Sequence, residues 1–179
     1  MPNLFFSFII FLFGLVVGSF LNSVIYRLET TQNFLNFLKG RSFCPYCKHK
    51  LFWQDLIPLF SFLILKGKCR YCQQKISFQY PLVEFFTGIL FVLVYYFLRS
   101  DLQGRSDLLI FHFIISSFLI IIFVYDLKHY IIPDKIIYPA IGVALIFDFL
   151  NLLRSNIPGI SDLLTSSFLL SALGAAAFF

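Results

Sequence analysis

Four cysteines carry the most specific chemistry this sequence offers. They fall as Cys44-Pro-Tyr-Cys47 and Cys69-Arg-Tyr-Cys72, a C-x2-C-x21-C-x2-C pattern. Two such pairs present four thiolates to one tetrahedral zinc ion, and the spacing is close to that of a zinc ribbon. Arg41, Lys48, Lys50, Lys68 and Arg70 flank the thiols, and cations of this kind are expected to favour the thiolate forms. Four sulfurs leave no open position on the metal, so its expected role is structural. A small insert with little core of its own takes much of its stability from such an ion. His49 is then read as an exposed polar residue.

A second group of candidates is acidic. An apolar stretch ends in Tyr125-Asp126-Leu-Lys-His-Tyr-Ile-Ile-Pro133-Asp134. A carboxylate at the membrane end of a helix is costly to bury and is a functional candidate by default, although a simple interface charge also accounts for Asp126. Pro133 is expected to end one element and let the next begin. Asp134 would then sit near a helix N-terminus, where the dipole favours negative charge; such capping accounts for it as well as function does. Glu84 and Asn22 belong at the same membrane depth as Asp126. Polar groups gathered at one depth suggest a site, and helix–helix hydrogen bonding is the alternative. Asp148 and His112 fall toward the opposite ends of their spans and receive no role.

The elements that position these residues follow from composition. Of 179 residues, 59% are hydrophobic and 13% charged, against about 25% charged in soluble domains. Five stretches lack Lys and Arg: Leu4–Tyr26, Leu82–Leu98, Leu108–Tyr125, Ile136–Leu153 and Leu163–Phe179. Each approaches the roughly 17–25 apolar residues a spanning helix needs, and backbone in hydrocarbon must satisfy its own hydrogen bonds. The expected fold is an all-α membrane protein of about five transmembrane helices with a small cytoplasmic zinc-ribbon-like insert. Residues 1–26 form the first transmembrane helix, 27–80 the four-cysteine insert, and 81–179 four further helices. The first stretch lacks a basic n-region and is too long for a signal-peptide core, so it is read as a retained span.

The formal net charge of +5 does not point to nucleic acid. Arg27–Tyr80 holds nine of the fourteen basic residues and two acids, Glu29 and Asp55, which leaves +7 there and −2 elsewhere. Basic residues accumulate in cytoplasmic loops. The insert is therefore expected in the cytoplasm and the N-terminus outside.

Three motifs in order resemble one family, the type IV prepilin peptidases, which are bifunctional leader peptidases and N-methyltransferases. The first is Phe13-Gly14-Leu-Val-Val-Gly18-Ser19-Phe20-Leu21-Asn22-Ser-Val24-Ile25-Tyr26-Arg27-Leu28. The second is the insert, with Cys44-Pro45-x-Cys47, Trp53, Ile57-Pro58, Gly67-x-Cys69-Arg70-x-Cys72, Ile76-Ser77 and Tyr80-Pro81-Leu82-Val83-Glu84. The third is Asp126-Leu-Lys-x-x-x-Ile132-Pro133-Asp134, similar to the family's first aspartate motif. The cysteine insert separates this group from the archaeal preflagellin peptidases.

The resemblance implies an aspartic endopeptidase at the cytoplasmic membrane face. It would cut leaders from prepilins or pseudopilins and methylate the new N-terminus with S-adenosylmethionine as donor. The partners would be the prepilin leader and hydrophobic helix, and membrane lipid. Asp126 would be one catalytic carboxylate and Asp134 a supporting residue. No Gly-rich dinucleotide-type loop occurs, and it is the resemblance that nominates Glu84 and the insert for the methyl donor. The family's second aspartate lies in a Gly-x-Gly-Asp loop after two further spans, and these 179 residues contain no such loop. A truncated chain without peptidase activity is the expectation, with a non-catalytic membrane protein binding prepilins or secretion-machinery partners as the alternative. For the orientation, an impermeant reagent applied from the outer face should leave Cys44 and Lys128 unlabelled; labelling of either would invert the topology.

Overall fold

The structure, a computed structural model, describes residues 4–30, 42–99 and 106–155. Five α-helices occupy most of these: α1 (Leu4–Thr30), a short α2 (Phe60–Ile64), α3 (Gln79–Leu98), α4 (Ser106–His129) and α5 (Asp134–Ser155). A 3-10 turn at Trp53–Leu56 precedes α2. The described fold is all-α, and α1, α3, α4 and α5 are each long and apolar enough to cross a membrane. The fifth expected span, Leu163–Phe179, lies outside the described residues, as does Arg41.

Every long helix overruns the apolar stretch that announced it. The first continues from Tyr26 to Thr30, and α3 starts at Gln79 rather than Leu82. Apolarity marks the hydrocarbon thickness, whereas a helix continues into the headgroup layer while its backbone bonds persist. Arg27, expected to open the insert, thus belongs to α1. At the start of α3 the Ser77 hydroxyl accepts the Gln79 N–H at 3.3 Å. Pro81 falls in the first turn, where a missing N–H costs nothing.

The chain divides into two units at Pro133, Met1–Pro133 and Asp134–Phe179. In the second unit α5 contains Pro139. In the first, α1 and α3 run antiparallel in very close contact. A Cβ on Gly14 would stand 2.7 Å from the Gly88 Cα, and one on Gly18 2.7 Å from the Glu84 Cα. Lipid supplies no hydrophobic drive for helix association, so close backbone approach through small residues carries it. Thr87 completes the seam; it is fully buried, and its hydroxyl donates to the Val83 carbonyl at 2.6 Å. Helix α4 joins through rings: Phe91 stacks on Phe113 with centroids 4.2 Å apart, and Phe13 lies 6.0 Å from Phe91. At the other end of the bundle, Lys128 pairs with Glu29 at 2.9 Å, which aligns the ends of α4 and α1. The outward faces, including Phe8, Leu12, Val16 and Phe20, are exposed apolar surface suited to lipid.

This seam predicts a sharp contrast. Gly14→Val must push two backbones apart and should destabilise the bundle by about 1–3 kcal/mol. Val16→Ala, on the exposed face, should change stability by no more than about 0.5 kcal/mol. Thermal unfolding in detergent checks both, and equal effects would remove the seam's importance.

Candidate metal centre and membrane-edge polar cluster

The insert is built from two copies of one knuckle. In the first, the Cys44 N–H donates to the His49 carbonyl at 3.0 Å and the Lys48 N–H to the Cys44 carbonyl at 2.9 Å. In the second, the Cys69 N–H donates to the Gln74 carbonyl at 2.9 Å and the Gln73 N–H to the Cys69 carbonyl at 3.0 Å. Bridges Phe43↔Lys50 and Lys68↔Lys75 close them, and Leu51→Ser42 and Ile76→Gly67 bonds flank them. Lys48 and Gln73 hold φ of 59° and 60° at matching positions. The repeat is visible in the sequence once aligned, Ser-Phe-Cys-Pro-Tyr-Cys-Lys-His-Lys-Leu at 42–51 on Gly-Lys-Cys-Arg-Tyr-Cys-Gln-Gln-Lys-Ile at 67–76, and sequence reasoning missed it. The expected zinc-ribbon-like insert thus brings its cysteines together through isolated bridges, with no strand among the described residues.

All four sulfurs lie within 4.8 Å of one another, and Cys44 Sγ to Cys72 Sγ is 3.8 Å. A tetrahedral Zn–S₄ site with bonds of about 2.3 Å has sulfurs about 3.8 Å apart, so the donor set fits such an ion. None of the four is in a disulfide. Burial raises the Cys44 thiol, but the backbone N–H groups of Cys47 and Tyr46 bring it down to about 7. These amides do what sequence reasoning assigned to the flanking cations. For Cys72 the Gln74 backbone bond lowers the thiol, yet burial and the other three sulfurs hold it at about 11. Bare sulfurs this close resist ionising together, and a divalent cation removes that resistance.

Two acids tie the insert down. The Asp55 carboxylate, 4% exposed, accepts Arg70 Nε at 2.7 Å, Tyr71 Oη at 3.2 Å and the Phe52 N–H at 3.2 Å. His49 is exposed, as expected, and its ring lies against Tyr71 with centroids 3.8 Å apart, so it also joins the two knuckles. Glu84, 8% exposed, accepts the Leu59 N–H at 2.8 Å and a hydrogen bond from Ser19. Leu59 has φ 59° and ψ −47°, and the Phe60 N–H reaches the Pro58 carbonyl at 2.6 Å, a γ-turn. Such turns are rare and strained for a β-carbon residue; the buried carboxylate holds this one in place. Nearby, Asn22 donates to the Tyr80 carbonyl at 3.0 Å. Helix–helix bonding thus accounts for half of Asn22, and its Oδ1 is buried with no partner among the described residues.

The structure separates the candidate acids. Glu84, Ser19 and Asn22 line a cavity of ≈ 340 Å³ between α1, α3 and the insert, which also reaches Cys44, Arg70 and Lys128. Asp126 is not among its lining residues. It lies in the last turn of α4, exposed, with its carbonyl accepting the Tyr130 N–H at 2.8 Å. Asp134 starts α5. An acid in a first turn is favoured by the dipole and one in a last turn is disfavoured, so helix stability explains Asp134 and not Asp126.

Residues 12–98 match the sequence model of the Bacterial Peptidase A24 N-terminal domain. The prepilin leader peptidase/N-methyltransferase of Klebsiella pneumoniae is 39% identical over 161 residues, covering 88% of this chain and 66% of the relative. The chain belongs to the prepilin leader peptidase family. Its relative from Vibrio cholerae is 37% identical over 139 residues, 75% of this chain and 53% of the relative. The one from Myxococcus xanthus is 40% identical over 144 residues, 79% of this chain and 41% of the relative. The chain thus spans between two fifths and two thirds of the length of these prepilin peptidases. No solved structure matches it at a significant level.

Metal analysis of the purified chain should find one zinc per polypeptide, and Cys69→Ser should lose most of it. Chelation should speed protease cleavage within 42–78 while sparing the helices; unchanged cleavage after complete metal removal would deny the ion its structural role.

Proposed function

We propose that this chain is the N-terminal portion of a prepilin-processing membrane enzyme that removes leader peptides from prepilins or pseudopilins and methylates the new N-terminus. In this reading it resides in the bacterial inner membrane with the insert in the cytoplasm. Asp126 supplies one of two carboxylates, Asp134 supports it, and the four cysteines hold a structural zinc. S-adenosylmethionine is the methyl donor, with Glu84 and the insert at its site. Family membership supports the reaction class. The observation that carries the assignment of Asp126 is its place in the last turn of α4, where helix electrostatics oppose an acid. The Lys128–Glu29 pair brings that turn level with the end of α1 that leads into the insert.

Aspartic catalysis needs one carboxylate ionised to activate water and another protonated to polarise the scissile carbonyl. Neighbouring acids separate in this way because two charges at close range cannot both persist. These residues supply Asp126 but no Gly-x-Gly-Asp partner. A purified polypeptide of residues 1–179 should therefore leave a prepilin leader intact. Specific leader removal by that polypeptide, abolished by Asp126→Asn, would overturn the two-aspartate assignment.

A further inference from the structure

The cavity between α1, α3 and the insert carries an electrostatic asymmetry. Four cations and three anions stand in its wall: Arg27, Arg70, Lys75 and Lys128 against Glu29, Asp55 and Glu84. Arg70 is matched by Asp55 at 2.7 Å and Lys128 by Glu29 at 2.9 Å. Arg27 is engaged in an interaction of its own, and Lys75 is exposed on the second knuckle. Glu84 is the anion left without a cation among the described residues. It takes the Leu59 N–H and the Ser19 hydroxyl, and a carboxylate has roughly four acceptor positions, so capacity remains.

Asn22 stands in the same wall. It is 3% exposed, and its Oδ1 is buried without a partner among the described residues. The orientation of the amide is decided by its surroundings: exchanging O and N would set the Asn22 oxygen against the Tyr80 carbonyl, 3.0 Å away. Leaving a buried acceptor unmade costs about 1–3 kcal/mol. The membrane-side end of the cavity therefore combines an unused neutral acceptor, an unpaired carboxylate and the Ser19 hydroxyl, while the wall's charged donors are committed or exposed.

We propose that Asn22 Oδ1 and the Glu84 carboxylate, with Ser19 beside them, bind an aliphatic ammonium group at this end of the cavity. The proposal rests on the methyl-transfer reading above and names the chemistry its site receives. Two sources of that group enter such a reaction. One is the amino-acid portion of S-adenosylmethionine; the other is the free α-amino group of the chain to be methylated. Glu84 supplies the charge and Asn22 an additional acceptor that fixes the nitrogen's direction, and the Gly18 contact sets Asn22 and Glu84 on facing helices at one depth.

Two isosteric substitutions move the charge in opposite directions. Glu84→Gln removes the charge but keeps an acceptor for the Leu59 N–H. Asn22→Asp adds a charge but loses the donor to Tyr80. Binding of S-adenosylmethionine, and of a short apolar peptide with a free or an acetylated N-terminus, is measured on the 179-residue chain in lipid nanodiscs. Zinc content and helical circular dichroism verify the fold. Glu84→Gln should weaken binding about tenfold or more, whereas Asn22→Asp should bind at least as tightly as the parent. Weakening confined to S-adenosylmethionine assigns the ammonium to the donor; weakening confined to the free-amine peptide assigns it to the substrate. Equal binding by parent and Glu84→Gln, or losses in both variants alike, overturns the ammonium site and leaves methyl transfer standing. A folded parent chain that binds neither probe overturns both.

Discussion

The arrangement depends on two helices approaching until their backbones touch. At Gly14 and Gly18 the α1 backbone meets the α3 backbone, where an added β-carbon would stand 2.7 Å from the Cα of Gly88 or Glu84, and Gly88 in turn leaves room for the Phe11 ring. In lipid this contact substitutes for the hydrophobic drive that water would provide. Its consequence is local and chemical. Ser19 and Asn22 on one helix come to face Tyr80 and Glu84 on the other, so polar groups too costly for hydrocarbon satisfy one another. A wider crossing would strand them.

The insert is anchored to that seam rather than standing apart from it. Its cysteine-bearing half is two knuckles with matching hydrogen bonds, and backbone hydrogen bonds are what bring the Cys44 thiol down to about 7. Asp55 binds the turn at Trp53–Leu56 to the second knuckle through Arg70 and Tyr71. Glu84 then holds the strained turn at Leu59 against the membrane helices. One buried acid thus organises the loop internally, and another fastens it to the bundle. The exposed basic residues of the insert contribute little to its fold, since exposed charges add little to stability.

Electrostatics also sorts the two acids near Pro133. Both were candidates by type and position. Asp134 occupies the end of a helix where an acid is welcome, and Asp126 the end where it is not. Lys128 and His129 share the last turn with Asp126 and both engage Glu29, at 2.9 and 3.4 Å. That turn is therefore tied to the end of α1 through Glu29, with Asp126 exposed beside it.

The sequence by itself determined the all-α membrane class, four of the expected spans to within a few residues, the cysteine quartet and the family. These are legible because hydrophobic length, C-x2-C spacing and motif order are local properties of the chain. The knuckle repeat was equally local and was overlooked, with Tyr46 and Tyr71, Lys50 and Lys75 as its signal. Only the tertiary structure decided that Asn22 keeps an acceptor unpaired among the described residues, that Glu84 clamps Leu59, and that Asp126 lies outside the cavity lined by Asn22 and Glu84. Each of these depends on which residues meet across a helix seam. Register of that kind comes from glycine contacts between segments some seventy residues apart, and no spacing along a single strand of sequence encodes it.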